Sequence, residues 1–127
     1  MTSSPATAAV VVAHGSRNEP ANDAHRQLCI DLSAATGTTV VAAFLELATP
    51  SLPAAVADLA IGGAIRVAVL PYFLYPGRHI QRDIPALIDE AIAANPTVDV
   101  VLGPLFGADP AVITVLSAQL ASLTAGR

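Results

Sequence analysis

The chain has 127 residues, carries a formal net charge of −4 and no lysine, and is 54% hydrophobic but only 13% charged. A chain of this length forms one domain with a real core, and its acidic balance argues against a general basic face for nucleic acid but leaves room for a local basic site. The longest apolar run, residues 67–75, is far shorter than the ~20 residues of a membrane-spanning helix.

The N-terminus and the cysteine content indicate where the protein works. The first residues lack the basic region that opens a signal peptide, so we expect a cytoplasmic protein. The single cysteine, Cys29, excludes an internal disulfide and a cysteine-based metal cluster, and we predict that it is a small buried residue of a helix. We expect one domain over residues 1–127, with a core at about 8–123 and loose tails at 1–6 and 124–127.

The chain begins with a strand-like run at 8–13, followed by helical spacing after Pro20. The apolar side of this first predicted helix consists of Leu28, Leu32 and Ala35. His25 lies in the middle of the helix, where we predict a structural or solvent-facing role. A second strand-like run covers 39–47.

The second predicted helix has Thr49 as its cap and Pro50 in its first position, and it ends at the glycine pair 62–63. A third strand follows at 65–73. The third helix has an apolar face from Ile84 to Ile92.

The chain closes with a fourth strand at 98–103 and a fourth helix, which has Asp109 as its cap and Pro110 in its first position. The apolar stripe predicted for this helix consists of Val112, Val115, Leu116, Leu120 and Leu123. All four strands are almost continuously apolar, which is typical of parallel strands covered on both faces. Repeated βα units therefore predict an α/β fold in three layers, with a four-stranded parallel sheet, right-handed crossovers and helices on both faces.

Polar side chains follow three of these strands, at the edge where ligands bind in open parallel sheets. His14 follows the first strand, Glu46 closes the second, and His79 follows the third. Two imidazoles and a carboxylate suit a divalent ion such as Co²⁺, Ni²⁺, Fe²⁺ or Zn²⁺. Three ligands without a thiolate describe an open site, which can bind a metal and release it, and not a closed structural zinc site.

Each of these residues also has an ordinary structural interpretation. A histidine after a strand is commonly a loop residue, and Glu46 can flank the positive end of the second helix. Arg78 and Arg82 can be surface charges. The convergence of His14, His79 and Glu46 on one edge, in a chain with only three histidines and three glutamates, favours a function.

Three segments together resemble a known family. AHGSR after the first strand, FLELATPSL across the second and PYFLYPGRHIQRDIP after the third resemble the small single-domain sirohydrochlorin chelatases of the CbiX type, relatives of the class II ferrochelatases. The resemblance runs from about residue 8 to residue 108. It implies a metal chelatase, a lyase that inserts Co²⁺, Fe²⁺ or in some forms Ni²⁺ into sirohydrochlorin for cobalamin or sirohaem synthesis. It implies no ATP and no organic cofactor, the metal being a substrate.

The resemblance also implies roles for individual residues. The histidine of AHGSR matches His14 and that of PGRH matches His79, and these are the family's metal-handling and proton-accepting residues. Glu46 matches the acidic position of the second motif, where we infer a supporting role or an oxygen ligand. The larger relatives place two such domains across one cleft, so a one-domain chain implies a homodimer.

The tetrapyrrole carries many carboxylates, so an acidic protein needs local positive charge to receive it. We expect Arg17, Arg78 and Arg82 to bind these carboxylates, because guanidinium pairs with them in a bidentate manner. Ser16 is assigned to the same substrate site. An apolar wall against the ring is predicted from Phe73, Leu74 and Tyr75, which as strand-end residues can equally belong to the core.

Other functions are open to the same sequence. The start of the histidine phosphatases is similar, but Ala13 stands where that family has arginine. A non-catalytic dimeric carrier of metal or tetrapyrrole would have the same fold. A flavodoxin-like nucleotide binder is disfavoured because no glycine-rich phosphate loop follows the first strand. All four candidate ions accept these donors, so the sequence does not select the metal.

Overall fold

The computed structural model describes residues 6–126; residues 1–5 and 127 and the side chain of His79 lie outside the described part. Its four strands form one parallel sheet in the order β2-β1-β3-β4. The strands are β1 (Thr7–Ala13), β2 (Thr39–Phe44), β3 (Arg66–Pro71) and β4 (Asp99–Leu102). The helices are α1 (Glu19–Thr36), α2 (Leu52–Ile61), α3 (Arg78–Ala94) and α4 (Ala111–Thr124), with a 3₁₀ turn at Phe106–Ala108. The predicted fold class is confirmed.

The core lies on both faces of the sheet, because alternate side chains of a strand point to opposite faces. Val10 and Val12 of β1 pack with α2 and α3 in the larger cluster. Ala9 and Val11 pack with Cys29 of α1 in the smaller one. This two-sided burial explains the uninterrupted apolar runs, and the predicted burial of Cys29, which is 2% exposed, is confirmed.

The second strand and second helix differ from their predicted bounds. β2 ends at Phe44, and the chain turns at Leu47, whose φ is 66°. Ser51, and not Thr49, caps α2, because its hydroxyl accepts a hydrogen bond from the N–H of Ala54 at 3.3 Å. Pro50 stays outside the helix, where its carbonyl accepts from the N–H of Phe44 at 2.9 Å.

The buried side of α1 also differs from the predicted one. Ala35 is exposed, whereas Asn22 and His25 are buried together with Cys29. His25 donates from Nε2 to the carbonyl of Val11 at 2.9 Å and stacks on Tyr72, so a structural role is confirmed. A polar helix face is buried here because the sheet and the neighbouring loop supply hydrogen-bond partners for it.

The last helix, α4, does not pack as predicted. Asp109 caps its start, accepting from the N–H of Ala111 at 2.8 Å, and the first helical residue is Ala111 and not Pro110. None of the residues of α4 is buried, and none belongs to either core cluster. Four of the five residues of the predicted apolar stripe are therefore exposed, and Val112 is half-buried, because a groove separates the helix from the sheet face next to α1.

Candidate functional site

A pocket of about 770 Å³ opens at the carboxyl ends of β1 and β3. The strand order reverses here, because β1 is followed in sequence by β2 on one side and flanked by β3 on the other. Such a switch point is where α/β sheets place ligands, and the volume is within the range of small-molecule sites. The loop after β1, the first turns of α1 and the segment 72–77 line the pocket.

His14 stands at the end of β1 with its side chain exposed toward this pocket. Its imidazole meets the ring of Phe73 edge to face, with centroids 5.1 Å apart and an interplanar angle of 86°. Phe73 is itself only 5% exposed, so one side of the imidazole rests on a fixed surface. The ring is thus oriented by an apolar neighbour and remains accessible to a ligand.

Glu46 lies beside His14 through the backbone. Its N–H donates to the carbonyl of His14 at 3.0 Å, which extends the parallel hydrogen bonding of β1 and β2 beyond the strands. The turn after His14 needs glycine, because Gly15 has a φ of 93° and a Cβ there would collide with the carbonyl oxygen of Glu46. The carboxylate of Glu46 is exposed and is not among the described residues that line the pocket.

The loop that carries His14 is held by Asn22, a residue that sequence reasoning missed. The side chain of Asn22 accepts from the N–H of Ser16 at 2.9 Å and donates to the carbonyl of Ser16 at 2.8 Å. Ser16 in turn uses its hydroxyl to accept from the N–H of Asn18 at 2.9 Å. The sequence contained one signal for this role, which is an asparagine on the inward side of the helix that follows the histidine loop.

The three residues of the predicted apolar wall separate into two kinds. Phe73 is buried beneath His14, whereas Leu74 and Tyr75 are 58% and 80% exposed at the pocket. The segment is anchored by Gly107, whose N–H donates to the carbonyl of Phe73 at 2.9 Å. A Cβ on Gly107 would collide with the backbone of Leu74, so only glycine allows this close approach. Gly107 is a second residue that the motifs did not indicate.

Some of the arginines already have carboxylate partners, and others are exposed without one among the described residues. Arg26 pairs with Glu19 at 2.8 Å. This pair raises the pKa of the Arg26 guanidinium and lowers the pKa of the Glu19 carboxyl. The guanidinium also lies over the ring of Phe44. Arg66 pairs with Asp99 at 3.3 Å at the far end of β3. Arg17 and Arg78 are exposed and form no ion pair with any residue in the described part of the chain.

The remaining predicted residues belong to α3. Arg82 is exposed and reaches Asp83 only at 3.9 Å, a distance at which an ion pair contributes little. His79 is the second residue of the helix, and its side chain lies outside the described residues. Pro76, Gly77 and Ile80 line the pocket, so the positive end of the α3 dipole adjoins it.

Two general features of the chain bear on its ligands. Among the described side chains, no three histidine, cysteine, aspartate or glutamate residues form a group that could hold a metal ion. Between residues 6 and 126, no helix combines the length and the hydrophobicity required to cross a membrane.

Curated relatives are similar in sequence to most of this chain. The chain is 40% identical over 83 residues to the chloroplastic sirohydrochlorin ferrochelatase of Arabidopsis thaliana, a match that covers 65% of this chain and 37% of that protein. It is 31% identical over 109 residues to a sirohydrochlorin cobaltochelatase of Priestia megaterium, covering 86% of this chain and 36% of that protein. The matched region thus spans little more than a third of either relative.

Solved structures share the fold. The CbiX protein of Marinobacter aquaeolei, described as a putative cobalamin biosynthesis protein, matches with a TM-score of 0.81 and 26% identity over 92% of this chain and 96% of that one. The sirohydrochlorin chelatase SirB of Bacillus subtilis subspecies spizizenii, in complex with cobalt, matches with a TM-score of 0.81 and 25% identity over 92% of this chain and half of that one. The CbiX family model matches residues 8–123, so this chain belongs to the CbiX family.

Proposed function

We propose that the protein is a sirohydrochlorin chelatase, which inserts Co²⁺, Fe²⁺ or Ni²⁺ into the tetrapyrrole without ATP or an organic cofactor. The observation that carries the proposal is the accessible His14 imidazole, held on Phe73 at the mouth of a pocket at the sheet's switch point. Relatives named as sirohydrochlorin ferrochelatase and cobaltochelatase, and SirB structures with cobalt and with Fe³⁺, support the substrate and the metals.

The proposed reaction requires a loosely held ion and a base for the pyrrole N–H protons. His14 and His79 supply both, because a neutral imidazole binds borderline divalent ions and accepts protons near neutral pH. Glu46 follows the strand beside His14 and supplies an oxygen ligand or orients a histidine. Weak coordination suits this task, because the metal leaves with the product.

The substrate's carboxylates would be received by Arg17, Arg78 and Arg82 around the pocket. The first two have no ion-pair partner among the described residues, so binding a carboxylate breaks no existing pair. Leu74 and Tyr75 offer an exposed apolar surface to the macrocycle. We assign Ser16 a position in the same loop, and we expect its hydroxyl to act mainly in holding the turn.

We also propose that the protein works as a homodimer, so that two pockets form one cleft. The support is the length of the SirB chain, of which this chain matches half. A cytoplasmic location stays a prediction from the sequence, and the Arabidopsis relative is named as chloroplastic. The net charge of −4 supports a protein without a nucleic-acid partner.

The test is metal insertion by purified protein mixed with sirohydrochlorin and each ion separately, followed by absorbance above the spontaneous rate. We expect acceleration with at least one ion, and a loss of about 10²-fold or more in His14→Ala and in His79→Ala. Circular dichroism of the variants controls for folding. Near-normal rates in both variants contradict the site, and no acceleration with any ion favours the non-catalytic carrier.

A further inference from the structure

Helix α4 presents a broad row of large apolar side chains to solvent. Ile113, Val115, Leu116, Leu120 and Leu123 are between 54% and 76% exposed. The 14 residues of the helix include no charged side chain. A helix with a broad apolar face normally buries that face against another element of structure. The described chain provides no cover for it.

An uncovered apolar groove of about 580 Å³ lies next to this helix. Leu28 and Leu32 of α1 form one wall, Leu70 and Tyr72 of the β3 segment form the floor, and α4 itself forms the far wall. Phe106 closes one end, with its ring 4.9 Å from that of Tyr72. Leu70, Tyr72 and Phe106 are 38–43% exposed, so the groove is open to solvent along its length.

The groove occupies the place where a helix belongs in this fold. In a three-layer α/β sheet, both faces of every strand are covered. Here α2 and α3 cover one face, and the cluster around α1 on the other face includes residues of β1 and β2 and Ala68 of β3, but none of β4. Beyond this cluster, Val101 of β4 pairs with Ala68 of β3 in the sheet and is 37% exposed. Within residues 6–126, no helix covers this part of the face, and α4 is itself uncovered.

We propose that α4 of a second copy fills this groove, so that two chains exchange their last helices. The inference rests on the homodimer proposed above and names its interface. The helix and the groove match in chemistry, because α4 has no charge and Asp109 is the only charged residue among the described residues that line the groove. A two-fold axis makes each contact twice, so both helices and both grooves are covered in one step.

The available surface approaches the size that a stable dimer needs. Each large aliphatic side chain removes roughly 60–120 Å² from water when fully buried, at about 25 cal/mol per Å². The contact would bury five side chains of α4 and four beside the groove, namely Leu70, Tyr72, Val101 and Phe106. Because each starts from about half exposure, together they bury on the order of 300–500 Å² of apolar surface per copy. With the helix backbone and smaller side chains added, this approaches the ~800 Å² per partner of a standard interface.

The exchange would also reach the functional pocket. Tyr72 lines both the groove and the pocket, and its other face stacks on His25 at 5.9 Å between ring centroids. The partner's helix would therefore lie directly behind a wall of the pocket. Assembly and substrate binding are coupled through this tyrosine in the proposed dimer.

The test is the molecular mass in solution, measured by light scattering after size-exclusion chromatography between roughly 1 and 100 μM, concentrations that span Kd values typical of specific dimers. We expect the unmodified chain to be a dimer of the 12.9 kDa protomer. Leu116→Glu and Leu120→Glu should weaken dimerisation by at least 100-fold without unfolding, because both side chains are exposed in the single chain. The matched control is Ile61→Glu at the end of α2, which is 85% exposed outside the groove and should stay dimeric.

A cross-linking experiment identifies the contact. In a Cys29→Ala background, a Leu120→Cys chain is mixed with a differently tagged Val101→Cys chain and treated with a short bis-maleimide. Exchange predicts heterodimeric cross-links between the two tags, whereas a helix that folds back on its own sheet predicts none.

The outcomes separate this inference from the proposed activity. A monomeric wild-type chain overturns the exchange. If both glutamate variants dimerise as strongly as the wild type, the exchange is also overturned, but the homodimer itself is supported. Metal insertion is measured on the same samples. If the chain is monomeric and inserts metal, the exchange is rejected and the chelatase is supported. If the chain is a dimer that the glutamate variants dissociate but shows no metal insertion, the exchange is supported and the chelatase is rejected.

Discussion

Asn22 is the residue on which the position of the His14 loop depends most. Replacing it with alanine leaves the N–H and the carbonyl of Ser16 without their partners at 2.9 and 2.8 Å in a part-buried place. We expect Asn22→Ala to lower the free energy of unfolding by about 2–4 kcal/mol and to reduce kcat for metal insertion. Denaturant titration and initial rates measure the two effects.

The control for Asn22 is Gln27→Ala on the same helix, whose side-chain hydrogen bond to Asp31 is exposed. This change should alter stability by no more than about 0.5 kcal/mol. Equal destabilisation by both substitutions would mean that the loop does not depend on Asn22.

Cys29 gives a pH dependence whose sign follows from burial. Burial raises the pKa of the Cys29 thiol from 9.0 to about 11, so the folded chain holds this proton more tightly than the unfolded chain. The stabilisation is complete below pH 9 and is lost as the pH rises toward 11. The free energy of unfolding should therefore fall over this interval by on the order of 1–3 kcal/mol more in the wild type than in Cys29→Ala.

Alkylation provides an independent reading of Cys29. At pH 8 we expect native protein to react with iodoacetamide only after unfolding, since the thiol is buried and protonated. Rapid modification of the native chain would show that the thiol is accessible and would contradict the expected pH dependence.

At the scale of elements, the segment 72–77 keeps its place because Gly107 lets the following turn approach it. Gly107→Ala should force the backbone of Leu74 away and cost about 1–3 kcal/mol of stability, with a rise in KM because Leu74 and Tyr75 move. Gly62→Ala is the matched control, since its Cβ would meet only ordinary contacts at 3.5 Å. Thermal melts that rank the two variants equally would contradict the anchoring role.

The elements also show which parts of the sequence were informative. The order of the βα units and the burial of β1 on both faces were predictable, because apolar runs and helical periodicity are local properties. The cap of α2 was not, since Thr49 and Ser51 are both acceptable caps and the hydrogen bond from Phe44 to Pro50 decides between them. The inward face of α1 was predicted only in part: Leu28 and Leu32 pack in the core as expected, whereas Asn22 was missed because it looks like a surface residue until its backbone partners are known.

At the scale of the whole molecule, the distribution of paired and unpaired arginines predicts substrate affinity. We expect Arg17→Gln and Arg78→Gln each to raise KM for sirohydrochlorin by about tenfold, the loss of one charge-assisted carboxylate contact. The effect should shrink at high salt, which screens the same attraction. Arg66→Gln should leave KM unchanged, because Arg66 pairs with Asp99 at the opposite edge of the sheet. A similar KM in all three variants would remove the arginines from the substrate site.

The sequence by itself determined the fold class, the family and the edge of the sheet where His14, Glu46 and His79 follow their strands. It could do so because strand and helix periods are local, and because the carboxyl ends of parallel strands meet at one edge. Only the tertiary structure decided that Asn22 and Gly107 hold the pocket's two loops, and that α4 leaves its own sheet uncovered. Those facts depend on contacts between residues far apart in the chain, and an apolar stripe has the same pattern whether its partner is the same chain or another.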